Sequence, residues 1–341
     1  MITLKEIAAK SKVSIATVSN ILNGKTNVSL ATKDRVLKII KESGYTPNYM
    51  ARSLRSTKTN TIGVIIEEIT EFCSPLQIEG ITSALEKKGY KLIFENLRYY
   101  YRYSGKYSDE YKEEVEKAFQ EMLSIKVDAF IFVACHSRRI DFLPKNLPVP
   151  VVISYSECAD SDYPYVVIDD EDSAVTIIDY LIQKGNKKTG FVCGAKDNFH
   201  TKLRLEGCKK ALADHKIDLD QSLVYFGNWT REAGYECCKN LLENNKDLDS
   251  IFCFNDLMAA GVYDYLFEKN LKPGKDIDVI GFDNREVSIF LRPQLTTMEI
   301  PLIELGASAA SILLAQLEGR KDFAKESRIK CSLIERESVK K

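Results

Sequence analysis

A chain of 341 residues, 45% hydrophobic and 28% charged, is too long for one small domain and long enough for two or three cores. Its net charge of −1 hides a split: residues 1–60 hold 11 Lys/Arg against 3 Asp/Glu, a net of +8, and the rest carries −9. A basic head on an acidic body points to a nucleic-acid partner for the head alone, and no apolar run approaches the ~18 residues of a membrane span.

Thr3-Leu4-Lys5-Glu6 is a capping box that opens a short helix through Ile7 and Ala8. After the turn at Ser11–Val13, Ser14 caps a second helix, Ile15 to Leu22, with Val18, Ile21 and Leu22 on one face and Ala16, Thr17, Ser19 and Asn20 on the other. Asn23-Gly24 stops it. A third helix runs from Leu30 to Ser43, capped by Ser29, with Val36, Leu37 and Ile40 as its buried stripe and Gly44 as its stop. Two short helices joined by a tight turn and braced by a third make a helix-turn-helix. The small polar face of the second helix suits a major groove, because short side chains let the backbone approach the base edges.

These residues resemble a known family. V-S-I-A-T-V-S-N-I-L-N-G, then V-S-x-x-T-[KR]-x-x-V and G-Y-x-P-N, are similar to the head of the lactose-repressor (LacI/GalR) regulators. The resemblance implies that Ile15, Ala16 and Asn20 read bases, and that Thr3, Ser14, Thr17, Ser19, Asn23, Tyr45 and Asn48 position the DNA backbone. Asn20 stands where many relatives carry Arg; Asn pairs with adenine and Arg with guanine, so the operator is expected to differ at that base pair. The helix-competent stretch Tyr49–Ser56 is too short to stand alone in water. By the same resemblance its A-R-S-L is a hinge helix, with Leu54 wedging a minor-groove base step and Ala51 and Arg55 on the same face.

From Thr61 onward, apolar runs alternate with amphipathic stretches. The runs are residues 61–66, 91–95, 129–133 and 151–154, then 190–193, 223–226, 250–254 and 278–282. This pattern implies parallel sheets with helices on both faces, in two Rossmann-like subdomains. No dinucleotide-binding or P-loop glycine motif occurs. Cys193 and His200 lack a third orienting group, so His200 is expected to be a loop histidine rather than part of a nucleophilic dyad. Nine scattered cysteines without a C-x-x-C pair read as free buried thiols. No enzyme chemistry, metal or cofactor is expected.

The body also resembles that family, through I-G-V-I-I, V-D-A-F-I, L-R-L-E-G, G-N-W-x-x-x-x-G-Y, F-N-D-x-M-A-A-G, V-I-G-F-D-N, L-T-T-M and L-I-E-R-E-S-V. The implied fold is that of the periplasmic binding proteins. The whole chain then reads as an all-α helix-turn-helix head (1–46), a hinge and linker (47–60) and an α/β body (61–341). The body's first subdomain covers about 61–168 and 300–325, and its second about 169–298 and 326–341.

Ligands of such folds bind beyond the carboxyl ends of the strands. Arg204, Trp229, Asn255 and Asp283 fall there, with Phe72 and Cys73 on the opposite rim; Asp256 and Asp283 are alternatively helix caps. The loop Glu67–Pro75 lacks the family's frequent aromatic pair, and Ile300 stands where glutamine is frequent. The insertion Asn96–Tyr111, with six tyrosines, is either a partner surface or packs on itself.

The expectation is a cytoplasmic repressor whose N-terminus, MITLKEIAAKSKV, carries no secretory signal. It is expected to be a homodimer without a tetramerising leucine tail. Its partners are near-palindromic double-stranded operator DNA and a small sugar-like effector, with no membrane. A purine-like or protein co-repressor is the alternative, and a transport solute-binding protein a distant one.

Overall fold

The computed structural model describes residues 2–22, 28–45, 59–159 and 163–340. The Asn23-Gly24 stop and the hinge segment, with Asn48, Ala51, Leu54 and Arg55, lie outside the described residues. The chain divides into two compact units, Met1–Thr59 and Asn60–Lys341.

In the first unit, α1 (Leu4–Lys10), α2 (Ile15–Leu22) and α3 (Leu30–Ser43) enclose a core of Ile7, Ala8, Val18, Ile21 and Val36. The capping box forms as the sequence predicts: Thr3 Oγ1 accepts the Glu6 N–H at 3.3 Å, and Glu6 Oε2 accepts the Thr3 N–H at 2.7 Å. Arg35 ties α3 to the turn by donating from Nε to the Ser11 carbonyl at 3.1 Å. Leu37 corrects the expected stripe, being 41% exposed. Val36 takes the inward position on so small a bundle, and Leu37 lies about 100° around the helix from it.

The second unit holds two six-stranded sheets. Its strands are β1 (Thr61–Ile66), β2 (Lys91–Asn96), β3 (Ala129–Val133), β4 (Arg139–Ile140), β5 (Val151–Ser154), β6 (Glu157–Cys158) and β7 (Tyr165–Ile168). They continue with β8 (Thr189–Cys193), β9 (Val224–Phe226), β10 (Ser250–Cys253), β11 (Asp278–Asp283), β12 (Thr296–Glu299), β13 (Glu326–Ile329) and β14 (Ser332–Ile334). One sheet has the order β13-β7-β5-β3-β1-β2 and is parallel throughout. The other, β14-β12-β11-β10-β8-β9, is parallel except for the β12–β14 pair. The predicted apolar runs all become strands, 91–95 and 223–226 as the edge strands β2 and β9 and the rest inside the sheets, and β1, β3, β5 and β10 are buried along their whole length, as strands covered on both faces require.

The chain passes between the sheets three times: after β7, after β12 and after β13. The last crossing moves an expected boundary, since residues 326–329 pair with β7 and belong to the first subdomain, while the crossing falls between Ile329 and Ser332. The polar sequence E-S-R-I hides this edge strand from hydropathy. The helix Leu302–Leu317 packs back onto the first subdomain against the helix Ser74–Glu86, so closely that a Cβ on Gly80 would lie 2.0 Å from the Ile303 carbonyl oxygen.

Candidate functional site

The polar face of α2 is accessible. Ile15 is 43% exposed, Ala16 is exposed, and Asn20 and Ser19 are half-buried. Ser14 Oγ accepts the Thr17 N–H at 3.1 Å and sits 2.9 Å from Thr17 Oγ1, so the exposed Ser14 and the half-buried Thr17 hydroxyls are held by the cap. Thr3 is likewise held by its capping box, and Tyr45 packs against the core. No charged side chain stands on this face of α2.

In the body, a cleft of about 740 Å³ opens at the carboxyl ends of both sheets, where the crossings leave a gap between parallel strands. Its wall from the second subdomain contains Arg204, Trp229, Asn255 and Asp283 together. Arg204 is only 2% exposed. Its Nε donates to Asp170 Oδ1 at 2.7 Å, its Nη1 donates to the Phe254 carbonyl, and its guanidinium lies 3.4 Å from the Phe282 ring centroid. Asp170 Oδ2 accepts from His200 Nδ1 at 2.7 Å, while His200 Nε2 accepts the Ser137 N–H at 3.1 Å. In that arrangement Nδ1 donates and Nε2 accepts. Burial opposes ionisation of Asp170, but His200 and Arg204 outweigh it and hold the carboxyl below the usual carboxylate range.

The expected loop histidine is thus corrected: His200 is the second residue of the helix Phe199–Asp214, 5% exposed, and borders the cleft. Sequence reasoning missed Asp170 because β7, which ends just before it, was not predicted.

Asn255 serves the cleft indirectly. Its Oδ1 caps the helix Asp256–Glu268 by accepting the Met258 N–H at 2.8 Å, and its Nδ2 donates to the Trp229 carbonyl at 3.0 Å. Asp256 is not a cap. It accepts from Thr297 Oγ1 at 2.6 Å and from the Arg285 N–H at 2.7 Å, tying β12 to the loop that carries Asp283 and Arg285. Asp283 caps nothing; burial pushes its carboxyl up to about 7, against the pull of Arg204 and Arg285. Tyr155, Trp229 and Asp283 hold φ of +71°, +74° and +108°. Three non-glycine residues in strained backbone at one cleft mark a place where geometry is kept for function.

The first subdomain supplies Glu71, Phe72, Tyr100, Cys135, His136 and Tyr155. Phe72 lines the cleft as expected, with the Arg285 guanidinium 4.4 Å from its ring centroid. Cys73 does not: it is fully buried, its Sγ donating to the Cys135 carbonyl at 3.1 Å. It directly precedes the helix Ser74–Glu86, which turns the thiol toward the end of β3. Ile300 is 4% exposed and is not among the lining residues.

The tyrosine-rich insertion packs on its own subdomain, the second of the two readings. Tyr99 and Tyr111 are fully buried, and Tyr107 stacks on Tyr99 at 4.7 Å. Tyr107 Oη lies 3.0 Å from His136 Nε2, and burial holds that imidazole down to about 4, so it is neutral. Beneath them Glu67, fully buried, is bound by Arg138, by the Tyr111 hydroxyl and by the Cys135 N–H at 3.1 Å. Tyr100 is the insertion's contribution to the cleft.

Among the described residues no group of three or more His, Cys, Asp or Glu is placed to hold a metal. No described helix is long and apolar enough to cross a membrane.

A helix-turn-helix unit on a two-sheet body with a polar and aromatic cleft defines a ligand-responsive DNA-binding protein. Comparison with known proteins makes this specific. Residues 3–48 match the model of the bacterial regulatory proteins, lacI family, and residues 178–339 match the periplasmic binding protein-like domain. Catabolite control protein A of Priestia megaterium is 33% identical across 92% of this chain and 91% of its own. The HTH-type transcriptional repressor CytR of Escherichia coli (strain K12) is 31% identical across 99% and 96%. Among solved structures, the complex of the transcriptional regulator CelR with cellobiose has a TM-score of 0.68 at 26% identity, covering 99% of this chain and 100% of that one. The lac repressor dimer bound to operator and the anti-inducer ONPF has a TM-score of 0.84 over 100% and 99%, at 22% identity a likeness of fold. The chain belongs to the LacI family of bacterial regulatory proteins, and is a DNA-binding transcriptional regulator rather than an enzyme.

Proposed function

We propose that the protein is a cytoplasmic repressor that binds a near-palindromic operator as a homodimer and changes its affinity when a small sugar-like metabolite enters the cleft. The carrying observation is the cleft itself: one indole, Trp229, beside Arg204 and Asp283, at the strand ends of a body joined to a helix-turn-helix head. An aromatic face suits ring C–H groups, and the convergent donors and acceptors suit hydroxyls. In this reading Ile15, Ala16 and Asn20 read bases, Thr3, Ser14, Thr17, Ser19, Asn23, Tyr45 and Asn48 position the duplex, and Ala51, Leu54 and Arg55 act at the minor groove. Phe72, Arg204, Trp229, Asn255 and Asp283 form the effector site. The ligand acts by binding one arrangement of the two subdomains better than the other.

A purine-like co-repressor fits less well, because a sandwich between Phe72 and Trp229 would compete with Arg285 for the Phe72 ring face. The test is fluorescence anisotropy of the full-length protein on operator fragments selected from a random library, with and without a panel of sugars. The expected result is a palindromic consensus, steep weakening with salt and a change in affinity with at least one sugar. Selection of no consensus, or indifference to every sugar in the panel, contradicts the reading.

A further inference from the structure

The charges around the cleft do not balance. Arg204 is neutralised by Asp170, and His200 beside them donates from Nδ1 to the same carboxylate and accepts the Ser137 N–H at Nε2. Arg231 is gripped by both oxygens of Asp264, each at 2.6 Å. His136 is neutral. Of the remaining carboxyls that line the cleft, Glu232 is exposed, and Glu71 and Asp283 lie inside against the cation Arg285. Neither carboxyl accepts a hydrogen bond from another side chain among the described residues, and Arg285 lays its guanidinium on Phe72. No lysine lines the cleft among the described residues. Burial raises both carboxyls, Asp283 to about 7; Arg204 and Arg285 offset this only in part for Asp283, and Arg285 only in part for Glu71. A ligand that brings one positive charge would make good the deficit. One that brings negative charge would deepen it in a site where water screens little.

The neutral features suit a hydroxylated ring. Tyr155 is 3% exposed, borders the cleft and has no hydrogen-bond partner for its hydroxyl among the described residues. Arg204 keeps Nη2 unbonded in the same way. Trp229 is fixed with one face of its indole against Gly194, where a Cβ would lie 2.1 Å from the ring.

We infer that the effector is an amino sugar, its ring on Trp229 and its ammonium answered by Asp283 and Glu71, and that sugar phosphates are rejected; this rests on the cleft being the effector site.

Isothermal titration of the full-length protein tests it with matched sets: glucosamine, galactosamine and the fully deacetylated disaccharide chitobiose, each against its hydroxyl parent and its N-acetyl form. Glucose 6-phosphate and galactose 6-phosphate complete the panel. Acetylation keeps the nitrogen and removes the charge. At least one amine is expected to bind about tenfold or more tighter than both its counterparts, with no binding of either phosphate. Glu71→Gln and Asp283→Asn, both isosteric, are each expected to shrink that preference to about threefold or less.

Equal or tighter binding of the parent, the acetylated form or a phosphate overturns the inference, and so does the absence of binding by every amine. The wild-type comparison decides this even if a variant fails to fold. If the amines fail while a neutral sugar still alters operator affinity, only the amine is wrong. If no sugar binds at all, the effector-site reading falls with it.

Discussion

Replacing Asp283 with Asn keeps the size of the side chain and removes its charge. In the ligand-free protein the carboxyl is raised from an ordinary 3.8 to about 7 by burial, with Arg204 and Arg285 opposing and Asp170 and Glu71 reinforcing. The native state therefore holds this proton up to about pH 7, whereas the unfolded chain releases it near pH 4. Across that window the folded protein binds more protons than the unfolded one, so the contribution of Asp283 to stability falls as pH rises. At about 1.4 kcal/mol per pH unit the full penalty is about 4 kcal/mol above pH 7. Asp283 borders an open cleft, where water screens part of the charge, so about 2 kcal/mol is expected. Asp283→Asn removes the penalty. Urea unfolding of both proteins, free of ligand, should give an advantage to the variant that grows by more than about 1 kcal/mol between pH 5 and pH 8. An advantage constant with pH, or one that shrinks as pH rises, would refute the claim that this carboxyl is held without adequate positive charge.

Three further substitutions probe separate parts of the molecule. Gly194→Ala places a methyl 2.1 Å from the Trp229 ring; it should weaken the sugar response about tenfold or more while operator binding without effector, read by anisotropy, stays as in wild type. Glu67→Gln leaves the buried Arg138 without its counter-charge and should cost about 3–5 kcal/mol of body stability in urea, far more than an exposed pair such as Lys38–Glu42. Asn20→Arg should move base preference at one operator position from adenine toward guanine in a selected library, with the salt dependence of binding little changed; an unaltered preference would remove Asn20 from the reading face.

Much of this was readable in the residues, for definite reasons. The caps Thr3, Ser14 and Ser29 are local chemistry, and they set the starts of all three head helices where the sequence places them. The central strands of both sheets are short apolar runs, visible because burial on both faces demands them. The edge strand β13 (E-S-R-I) and its counterpart β12 (T-T-M-E), one place in from the edge of the other sheet, are not apolar, so hydropathy passes over them. The cleft residues Arg204, Trp229 and Asp283 sit next to predicted strand ends, and the cleft brings them together. Asp170 follows a strand that was not predicted. His136 and Tyr100 depend on tertiary packing across 36 residues of chain, for which a single sequence carries no local signal.

The two walls of the cleft therefore differ in kind. The second-subdomain wall is built from residues that prop one another: Asp170 fixes Arg204 and His200, and Asn255 holds the Trp229 loop. Such mutual bracing tolerates little change and gives a common platform for a ring. The first-subdomain wall is different material. Its floor is the ion pair of Glu67 and Arg138, with Arg138 4.0 Å from the Tyr107 ring centroid, and over it the tyrosine insertion sets His136 and Tyr100 at the cleft. A buried ion pair contributes little net stability but enforces one arrangement of the groups around it. On the proposed reading, ligand selectivity belongs to this wall, because the tyrosine insertion reaches the cleft here and the unpaired Glu71 lines it with Asp283. Closing the cleft on a ligand that bridges those two carboxyls draws the subdomains together, and the same deficit of positive charge that destabilises the empty protein above pH 7 becomes the drive toward the closed form.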